Sequence, residues 1–364
     1  MLDEILSGLR KIPVYVLTGF LGTGKTSLLK RLVTEGGLED AAILINEFGD
    51  FGIDDMLVRQ VNEHTVLLNS GCICCSVRAD LLEALRELFA LKLEDVGLPF
   101  TRVIIETSGA TDPIPVIHTL NTDPFLQERF CLEGVISTLD ITAPEGDLFR
   151  HEEALRQVAL ADWIVVTKAD LVEGDRQAKL KDLLRPVNPD ARVISTESFD
   201  VKALAAAIRA GSIATTTHWQ RNLSDMTERL ADARKASGLA RRGFLEKWAS
   251  TSHPSPMESF LLEAEEPLDW SDLNGWIENL LMGKSEAILR LKGVVTLKDQ
   301  NRRAVVQGVR QVFYPVSWLD ASPRPREPTR IVLIVENREG ASRQRLMERT
   351  LPQQGVLSDI LLPV

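Results

Sequence analysis

The sequence has fewer basic than acidic residues, few histidines and no long apolar run, and the shortage of basic residues and the lack of long apolar runs each exclude a class of function. Its 364 residues hold 42 Lys and Arg against 52 Asp and Glu, which gives a formal net charge of −10. Broad binding to nucleic acid or to an anionic membrane needs a basic surface, so we expect neither partner. No uncharged apolar stretch approaches the ~20 residues of a membrane-spanning helix. The length and ordinary composition predict a globular protein of about two domains.

Cysteine is also scarce, but three of the four cysteines lie together at Cys72, Cys74 and Cys75. A disulfide framework is typical of small secreted chains. Residues 1–11 lack the basic start and the apolar centre of a signal peptide, so we expect a cytoplasmic protein. In a reducing compartment, clustered thiols hold a soft metal ion or carry out redox chemistry. The cluster therefore predicts a metal or redox site.

A phosphate-binding loop follows the first apolar run. Residues 12–17 predict a buried strand, and residues 19–26, GFLGTGKT, have the two glycines, the lysine and the hydroxyl residue of the P-loop pattern. Leucine and valine then recur at helical spacing. In such a loop, backbone N–H groups bind phosphate oxygens, Lys25 reaches the β- and γ-phosphates, and the Thr26 hydroxyl binds Mg²⁺. The sequence predicts a nucleoside triphosphate site.

Further short apolar runs alternate with helical patterns, which indicates an α/β fold of the P-loop type with a doubly wound, mostly parallel sheet. The predicted strands are residues 42–45, 66–68, 102–105, 134–139, 163–167 and 192–195. Ligands of such sheets bind at the carboxyl ends of the strands. One of these ends carries Glu106, which we expect to bind Mg²⁺ or to position the attacking water. The backbone N–H of Gly109 is then expected near the γ-phosphate.

Another strand end carries the sequence TKAD at residues 167–170. A carboxylate at Asp170 can accept hydrogen bonds from N1–H and from the 2-amino group of guanine. Adenine lacks this pair of donors, so the motif favours GTP. The alkyl stem of Lys168 can lie along the base.

Together these stretches resemble the CobW-type metallochaperone GTPases, which are relatives of the urease and hydrogenase accessory GTPases. The resemblance depends on residues 19–26, 46–49 (NEFG), 69–75 (NSGCICC), 106–109 (ETSG) and 167–170, and it continues through 290–293 (RLKG). It implies GTP hydrolysis coupled to the binding of a transition metal, zinc or cobalt. It also implies delivery of that metal to a client metalloprotein.

The resemblance assigns roles residue by residue. It implies catalytic roles for Lys25, Thr26 and Glu106. It implies a metal site at Cys72, Cys74 and Cys75, with Glu47 as a nearby oxygen ligand. Because Cys75 needs a local turn to join the other two, ligation by two or by three cysteines stays open. The residues implied to bind GTP and Mg²⁺ are Gly19, Gly22, Thr23, Gly24, Lys25, Thr26, Glu106, Gly109, Thr167, Lys168, Asp170 and Ser195.

The sequence departs from the family pattern at two places. Thr167 stands where the guanine motif usually has asparagine. One hydrogen bond between neighbouring loops is therefore either replaced or lost, and the selectivity for guanine over adenine depends on which of the two occurs. The region before the second domain has His218 and His253 but no histidine-rich stretch. We therefore expect no reservoir for additional zinc.

We expect a GTPase domain at residues 1–214, a polar and partly helical linker at 215–256, and a smaller α+β domain at 257–364. The last domain includes a predicted strand at 314–319. We expect it to recognise either the client or a second copy of this chain, in which case the protein would form a homo-oligomer. Two other functions stay open at this point. One is a P-loop kinase or other nucleotide enzyme in which the cysteines are incidental, and the other is a non-catalytic, nucleotide-dependent metal sensor.

Overall fold

The structure is a computed structural model of the whole chain, and it divides into two compact units. The first unit comprises Met1–Glu145, Arg156–Lys179 and Ala191–Ala214, and the second comprises Gly146–Leu155, Leu180–Asp190 and Thr215–Val364. None of the helices in the described part of the chain is long and apolar enough to cross a membrane. The residues that the structure describes are 11–45, 65–67, 76–93, 100–144, 147–172, 176–196, 198–210, 257–264, 266–284, 288–298, 300, 302–314, 316–319, 328–337 and 361–363.

The first unit contains a sheet of parallel strands in the spatial order β3-β2-β4-β1-β5-β6-β7. β1 lies at the centre of the sheet, with β4, β2 and β3 on one side and β5, β6 and β7 on the other. This arrangement opens a crevice at the carboxyl end of β1, where ligands of such sheets bind. The strands are β1 Ile12–Gly19, β2 Ala41–Ile45, β3 Thr65–Leu67, β4 Arg102–Glu106, β5 Phe130–Asp140, β6 Trp163–Thr167 and β7 Arg192–Ser195.

Helices connect the strands and cover the sheet. Alternate residues of β1 point to opposite faces, yet Val14, Tyr15, Val16 and Leu17 are all fully buried, so both faces are covered. The helices up to residue 209 are α1 Lys25–Thr34, α2 Ser76–Leu93, α3 Ile114–Thr122, α4 Pro124–Arg129, α5 Asp147–Arg150, α6 Glu152–Leu160, α7 Arg176–Leu184 and α8 Ser198–Arg209, of which α5, the first residues of α6 and the last residues of α7 belong to the second unit. One core joins leucines of α1 to Val201 and neighbouring residues of α8 against this sheet.

The predicted doubly wound parallel sheet is confirmed, and the largest difference in strand length is at β5. β5 begins at Phe130, four residues before the predicted start, and its first residues pair with the beginning of β1. The polar side chain of Glu133 interrupts the apolar pattern there, and the register shifts beside it, between Val14 and Tyr15. A strand whose first residues are partly exposed gives a weaker apolar signal than its buried centre.

The second unit contains an antiparallel sheet in the order β11-β10-β9-β13-β8-β14, with β12 paired to β10. Its core places Trp276, Ile277 and Leu280 of helix α9 with apolar residues of the sheet, which confirms the predicted α+β domain. The elements are β8 Met257–Ala264, α9 Trp270–Lys284, β9 Ile288–Thr296, β10 Arg303–Val309, β11 Val312–Phe313, β12 Ser317–Trp318, β13 Thr329–Glu336 and β14 Leu361–Pro363.

The strand predicted at residues 314–319 is wrong in its extent. Two short strands, β11 and β12, take its place, and both pair with β10. A tight turn with Arg310 at a φ of 53° leads from β10 directly into β11. Pro315, which has no backbone N–H to offer a strand pair, stands between the two short strands in the sequence.

Candidate nucleotide-binding site

The loop predicted to bind phosphate lies between β1 and α1. Its glycines have φ angles that L side chains rarely adopt, 142° at Gly19, 73° at Gly22 and 85° at Gly24. Gly24 is the N-cap of α1 and brings no side chain over the first-turn N–H groups. Such N–H groups, together with the positive end of the helix dipole, favour phosphate. The loop therefore has the backbone geometry that an anion site needs.

Lys25 is the first residue of α1 and places its ammonium group inside the loop. Its Nζ donates hydrogen bonds to the carbonyl oxygens of Gly19 at 3.0 Å and Phe20 at 3.3 Å. A positive charge is thus held beside the helix N-terminus, where P-loop proteins bind the β- and γ-phosphates.

Thr26 and Glu106 meet at the carboxyl edge of the sheet. The Thr26 hydroxyl donates a hydrogen bond of 2.7 Å to Oε1 of Glu106. Glu106 is the last residue of β4 and is 1% exposed. Hydroxyl and carboxylate oxygens are hard ligands of the kind that Mg²⁺ prefers. The pair fits a magnesium ion that is shared with the phosphates of a nucleotide.

Buried threonine hydroxyls attach the phosphate loop and the end of β1 to the neighbouring strands. Thr23 shares a hydrogen bond of 2.7 Å with Thr138 of β5, and its hydroxyl also donates to the carbonyl of Phe20. On the other side of β1, Thr107 donates to the Thr18 hydroxyl at 2.9 Å. All four threonine side chains are buried. The loop is therefore supported by the sheet through paired polar groups.

Gly109 lies directly against the phosphate loop. A Cβ atom at this position would come within 2.8 Å of the N, Cα and Cδ2 atoms of Leu21, so the contact requires glycine. Two residues earlier, the backbone N–H of Thr107 donates to the carbonyl of Leu17 at 2.9 Å. This places the backbone of Gly109 beside the loop, the arrangement that its predicted phosphate-sensing role needs.

Thr167, the last residue of β6, contacts the phosphate loop. Its hydroxyl lies 2.9 Å from the carbonyl oxygen of Thr23 and 3.3 Å from that of Leu139. A hydrogen bond from Thr167 thus joins residues 167–170 to the phosphate loop, although the usual asparagine is absent.

Lys168 is held by an acidic residue that the sequence prediction missed. Its backbone is left-handed, with a φ of 56°, and its Nζ lies 2.5 Å from Oδ2 of Asp140 at the end of β5. Burial acts to raise the pKa of the Asp140 carboxyl, but hydrogen bonds from Lys168 and Thr142 outweigh it and lower the pKa. The carboxylate stays charged and keeps the lysine in place at neutral pH.

The other two residues predicted at the base lie close by in the fold. Asp170 is exposed in a short 3-10 helix, Ala169–Leu171, directly after Lys168. Ser195 ends β7, and its backbone N–H donates to Asp200 at 3.2 Å. Arg31 of α1 donates to the carbonyl of Thr196 at 2.6 Å, which fixes the loop that follows Ser195.

The predicted metal ligands Cys72, Cys74, Cys75 and Glu47 lie outside the described residues. Within the described ranges, no three His, Cys, Asp or Glu side chains are grouped so that they could hold a metal ion.

The sequence contains a signal that could have identified Asp140 as a site residue, because Asp140, like Glu106, is a carboxylate directly after a predicted buried strand. Thr138 and Arg31 had none, because their partners lie 115 and 165 residues away along the chain.

Fold and phosphate loop together define a P-loop protein. Residues 13–195 match the family model described as CobW/HypB/UreG, nucleotide-binding domain. Residues 257–351 match the model of the cobalamin synthesis protein cobW C-terminal domain. The chain belongs to the CobW family of P-loop GTPases, as the sequence resemblance indicated.

Curated relatives cover different shares of the chain. The zinc chaperone YjiA of Escherichia coli strain K12 is 31% identical over 307 residues, which are 84% of this chain and 88% of YjiA. Zinc-regulated GTPase metalloprotein activator 1 of Schizosaccharomyces pombe is 30% identical over 197 residues, 52% of this chain and 47% of the relative. The crystal structure of Zn(II)-bound YjiA GTPase from E. coli has a TM-score of 0.59 at 22% identity, covering 94% of this chain and 99% of the YjiA chain, and shows the same fold.

Proposed function

We propose that this GTPase is a metallochaperone that binds a transition metal at Cys72, Cys74 and Cys75, with Glu47 nearby, and delivers it to a client metalloprotein. The nucleotide state sets the metal affinity. Zinc is the favoured cargo, because YjiA and the yeast activator carry zinc in their names and because thiolates suit it. Cobalt fits the same ligands and is the second candidate.

The observation that carries the proposal is the alignment of three strand ends. In the parallel ladder, Glu106 of β4 pairs with Ile45 of β2, and Ile45 pairs with Leu67 of β3. The segments that bear Glu47 and the cysteines therefore leave the sheet at the same level as Glu106. Neighbouring strands are about 4.8 Å apart, so Leu67 is roughly 10 Å from Glu106. Five residues from Leu67 to Cys72 can span up to ~17 Å, enough to reach the nucleotide site.

The nucleotide chemistry follows from the residues at the loop. Phosphate oxygens are bound by the N–H groups of the loop and by Lys25, while Thr26 and Glu106 hold Mg²⁺, which supplies positive charge to the phosphates. Glu106 also lies where a carboxylate can orient the attacking water. Gly109, against Leu21, brings a backbone N–H to the γ-phosphate. Asp170 and Lys168 recognise guanine, and Ser195 closes the loop over the base.

Metal and nucleotide are coupled through residues 46–54, which follow β2, and residues 69–78, which follow β3. Both strands end at the edge that carries Thr26 and Glu106. Binding of Mg·GTP orders them and brings the metal ligands together, and hydrolysis releases the metal to the client.

The proposal is tested by competitive titration of zinc and of cobalt against indicator chelators. Affinity is measured for the protein with a GTP analogue and Mg²⁺, with GDP, and without nucleotide. We expect the tightest binding with the analogue, and equal affinity in the three states would rule out nucleotide control.

Cys74→Ser should weaken metal binding and leave nucleotide binding unchanged. Cys131→Ser is the matched control, because Cys131 lies in β5 outside the motif and should change neither affinity. Loss of metal and nucleotide binding together in Cys74→Ser would show that the cysteines are structural. Faster phosphate transfer to an added acceptor than to water would identify a kinase instead.

A further inference from the structure

Helix α6 reaches the loop that carries Gly109 through a buried amide. Residues 107–112, here called the Gly109 loop, connect β4 to the turn before α3. Nε2 of Gln157 donates hydrogen bonds of 3.1 Å to the carbonyl oxygens of both Gly109 and Thr111. Gln157 is 1% exposed, so water does not compete for these bonds.

The orientation of this amide is set by its two partners. Both are carbonyl oxygens, which accept hydrogen bonds, so the NH₂ end must face them and the reversed orientation would place oxygen against oxygen. Oε1 of Gln157 is buried and accepts no hydrogen bond from the described residues. A buried oxygen of this kind destabilises the fold. An apolar side chain would be the more stable choice if α6 only packed here, so the two carbonyl contacts account for the glutamine.

A second contact from the same helix holds the far end of the Gly109 loop. Nη1 of Arg156 lies 3.3 Å from Oδ2 of Asp112, and Oδ1 of Asp112 accepts the backbone N–H of Ile114 at 2.9 Å. Adjacent residues of α6 thus fix both ends of the segment between Gly109 and Asp112.

We infer that Gln157 is a positioning residue for the triphosphate form: it fixes the Gly109 loop against the phosphate loop before GTP binds, so that Gly109 meets the γ-phosphate without an ordering cost. This inference rests on the proposed role of Gly109. Gln157 acts through the backbone of the loop and touches no reacting atom.

The inference predicts a selective effect on nucleotides that carry a γ-phosphate. If the loop is released, binding of the γ-phosphate must order it again, which reduces affinity through lost conformational entropy. GDP has no γ-phosphate, so its affinity does not depend on the Gly109 loop. The ratio of the two affinities therefore separates positioning from a general structural role.

The first test is Gln157→Met, which keeps the length of the side chain and removes both donors. We expect about ten- to thirtyfold weaker binding of a non-hydrolysable GTP analogue, the size expected from two net hydrogen bonds, and GDP affinity within about twofold of wild type. Gln127→Met is the matched control, because Gln127 also donates to a backbone carbonyl, that of Asn121, but lies on the surface of α4. It should change neither affinity.

Two further variants keep the inference testable if Gln157→Met does not fold. Arg156→Met releases the partly exposed far end of the loop and should weaken analogue binding in the same direction, by about threefold. Gln157→Glu should regain analogue affinity as the pH is lowered, because the protonated carboxyl can again donate to a carbonyl and the carboxylate cannot. A role in packing alone would give no such pH dependence.

The results separate this inference from the proposed function. If the wild-type protein binds the analogue and GDP but the ratio is unchanged in Gln157→Met and Arg156→Met, the positioning role is refuted and the GTPase assignment stands. Equal weakening of both nucleotides would also refute it, as a purely structural effect. If the wild-type protein binds neither nucleotide, the proposed function itself fails.

Discussion

Substituting Gly19 by alanine should disrupt the junction between β1 and the phosphate loop more than any change at the loop's tip. An added Cβ would lie 2.2 Å from Oγ1, 2.6 Å from O and 2.9 Å from N of Thr138. Rotation of the Thr138 side chain can relieve only the first contact, because the other two atoms belong to the backbone of the paired strand β5. The φ of 142° adds strain for any L side chain.

The magnitude follows from these two costs. A φ in this region costs about 1–3 kcal/mol, and overpacking in a buried site costs about 1–3 kcal/mol more. Alanine also stabilises by about 0.4–1 kcal/mol, because it lowers the entropy of the unfolded chain. The free energy of unfolding should therefore fall by about 3 kcal/mol.

Gly22→Ala is the matched control, since its φ is 73° but nothing lies within 4 Å of the added Cβ. The left-handed backbone of an alanine at this position costs about 1–2 kcal/mol. The lower entropy of the unfolded chain offsets part of that cost, so the free energy of unfolding should fall by about 1 kcal/mol or less. Urea unfolding without nucleotide should show a lower midpoint for Gly19→Ala at unchanged m-value. Equal destabilisation of the two variants would refute the reasoning, and so would full rescue of Gly19→Ala by Thr138→Ala, which leaves both backbone contacts in place.

Two further predictions concern residues 167–170, the predicted guanine motif, and the contacts that hold them. Asp140→Asn should weaken binding of guanine nucleotides about two- to fivefold, since it removes the ion pair that holds the partly exposed Lys168. Because folding lowers the pKa of Asp140, its stabilising effect is present above its ordinary value of 3.8 and is lost as the pH falls through the lowered pKa. The difference in unfolding free energy between wild type and Asp140→Asn, measured against pH, should thus be constant near neutral pH. A difference that varies with pH in this range would contradict a lowered pKa of Asp140. Thr167→Val should weaken GTP-analogue and GDP binding equally, about three- to tenfold, because it removes the hydrogen bond to Thr23, whereas Thr167→Ser should bind like wild type in the same titration.

The sequence predicts the first sheet well because its signals are local. Each strand is a short apolar run bounded by polar residues, and the glycines, Lys25 and Thr26 all lie within residues 19–26, at the end of one of them. Glu106 is predictable for the same reason, as a carboxylate directly after a buried strand. The family resemblance then supplies roles that spacing alone leaves open.

The contacts that complete the site are long-range and escape such reasoning. Gln157 donates to a carbonyl 48 residues away, and a glutamine on an amphipathic helix has no sequence pattern that distinguishes it. The hydroxyl pair of Thr23 and Thr138 joins the phosphate loop to a strand 115 residues further along the chain. Thr167 shows the same limit, since the sequence identifies the missing asparagine but not the acceptor that its hydroxyl finds.

Helix α1 sets the distance between the phosphate loop and the end of β7. Lys25 and Thr26 lie in its first turn, and Arg31 donates a hydrogen bond to the carbonyl of Thr196, next to Ser195. Five residues of α-helix separate Thr26 from Arg31, a fixed rise of about 7.5 Å. Deleting or inserting one residue in this stretch would turn Arg31 by about 100° around the helix axis and away from Thr196. Natural variation in this helix should therefore conserve its length even where its exposed side chains change.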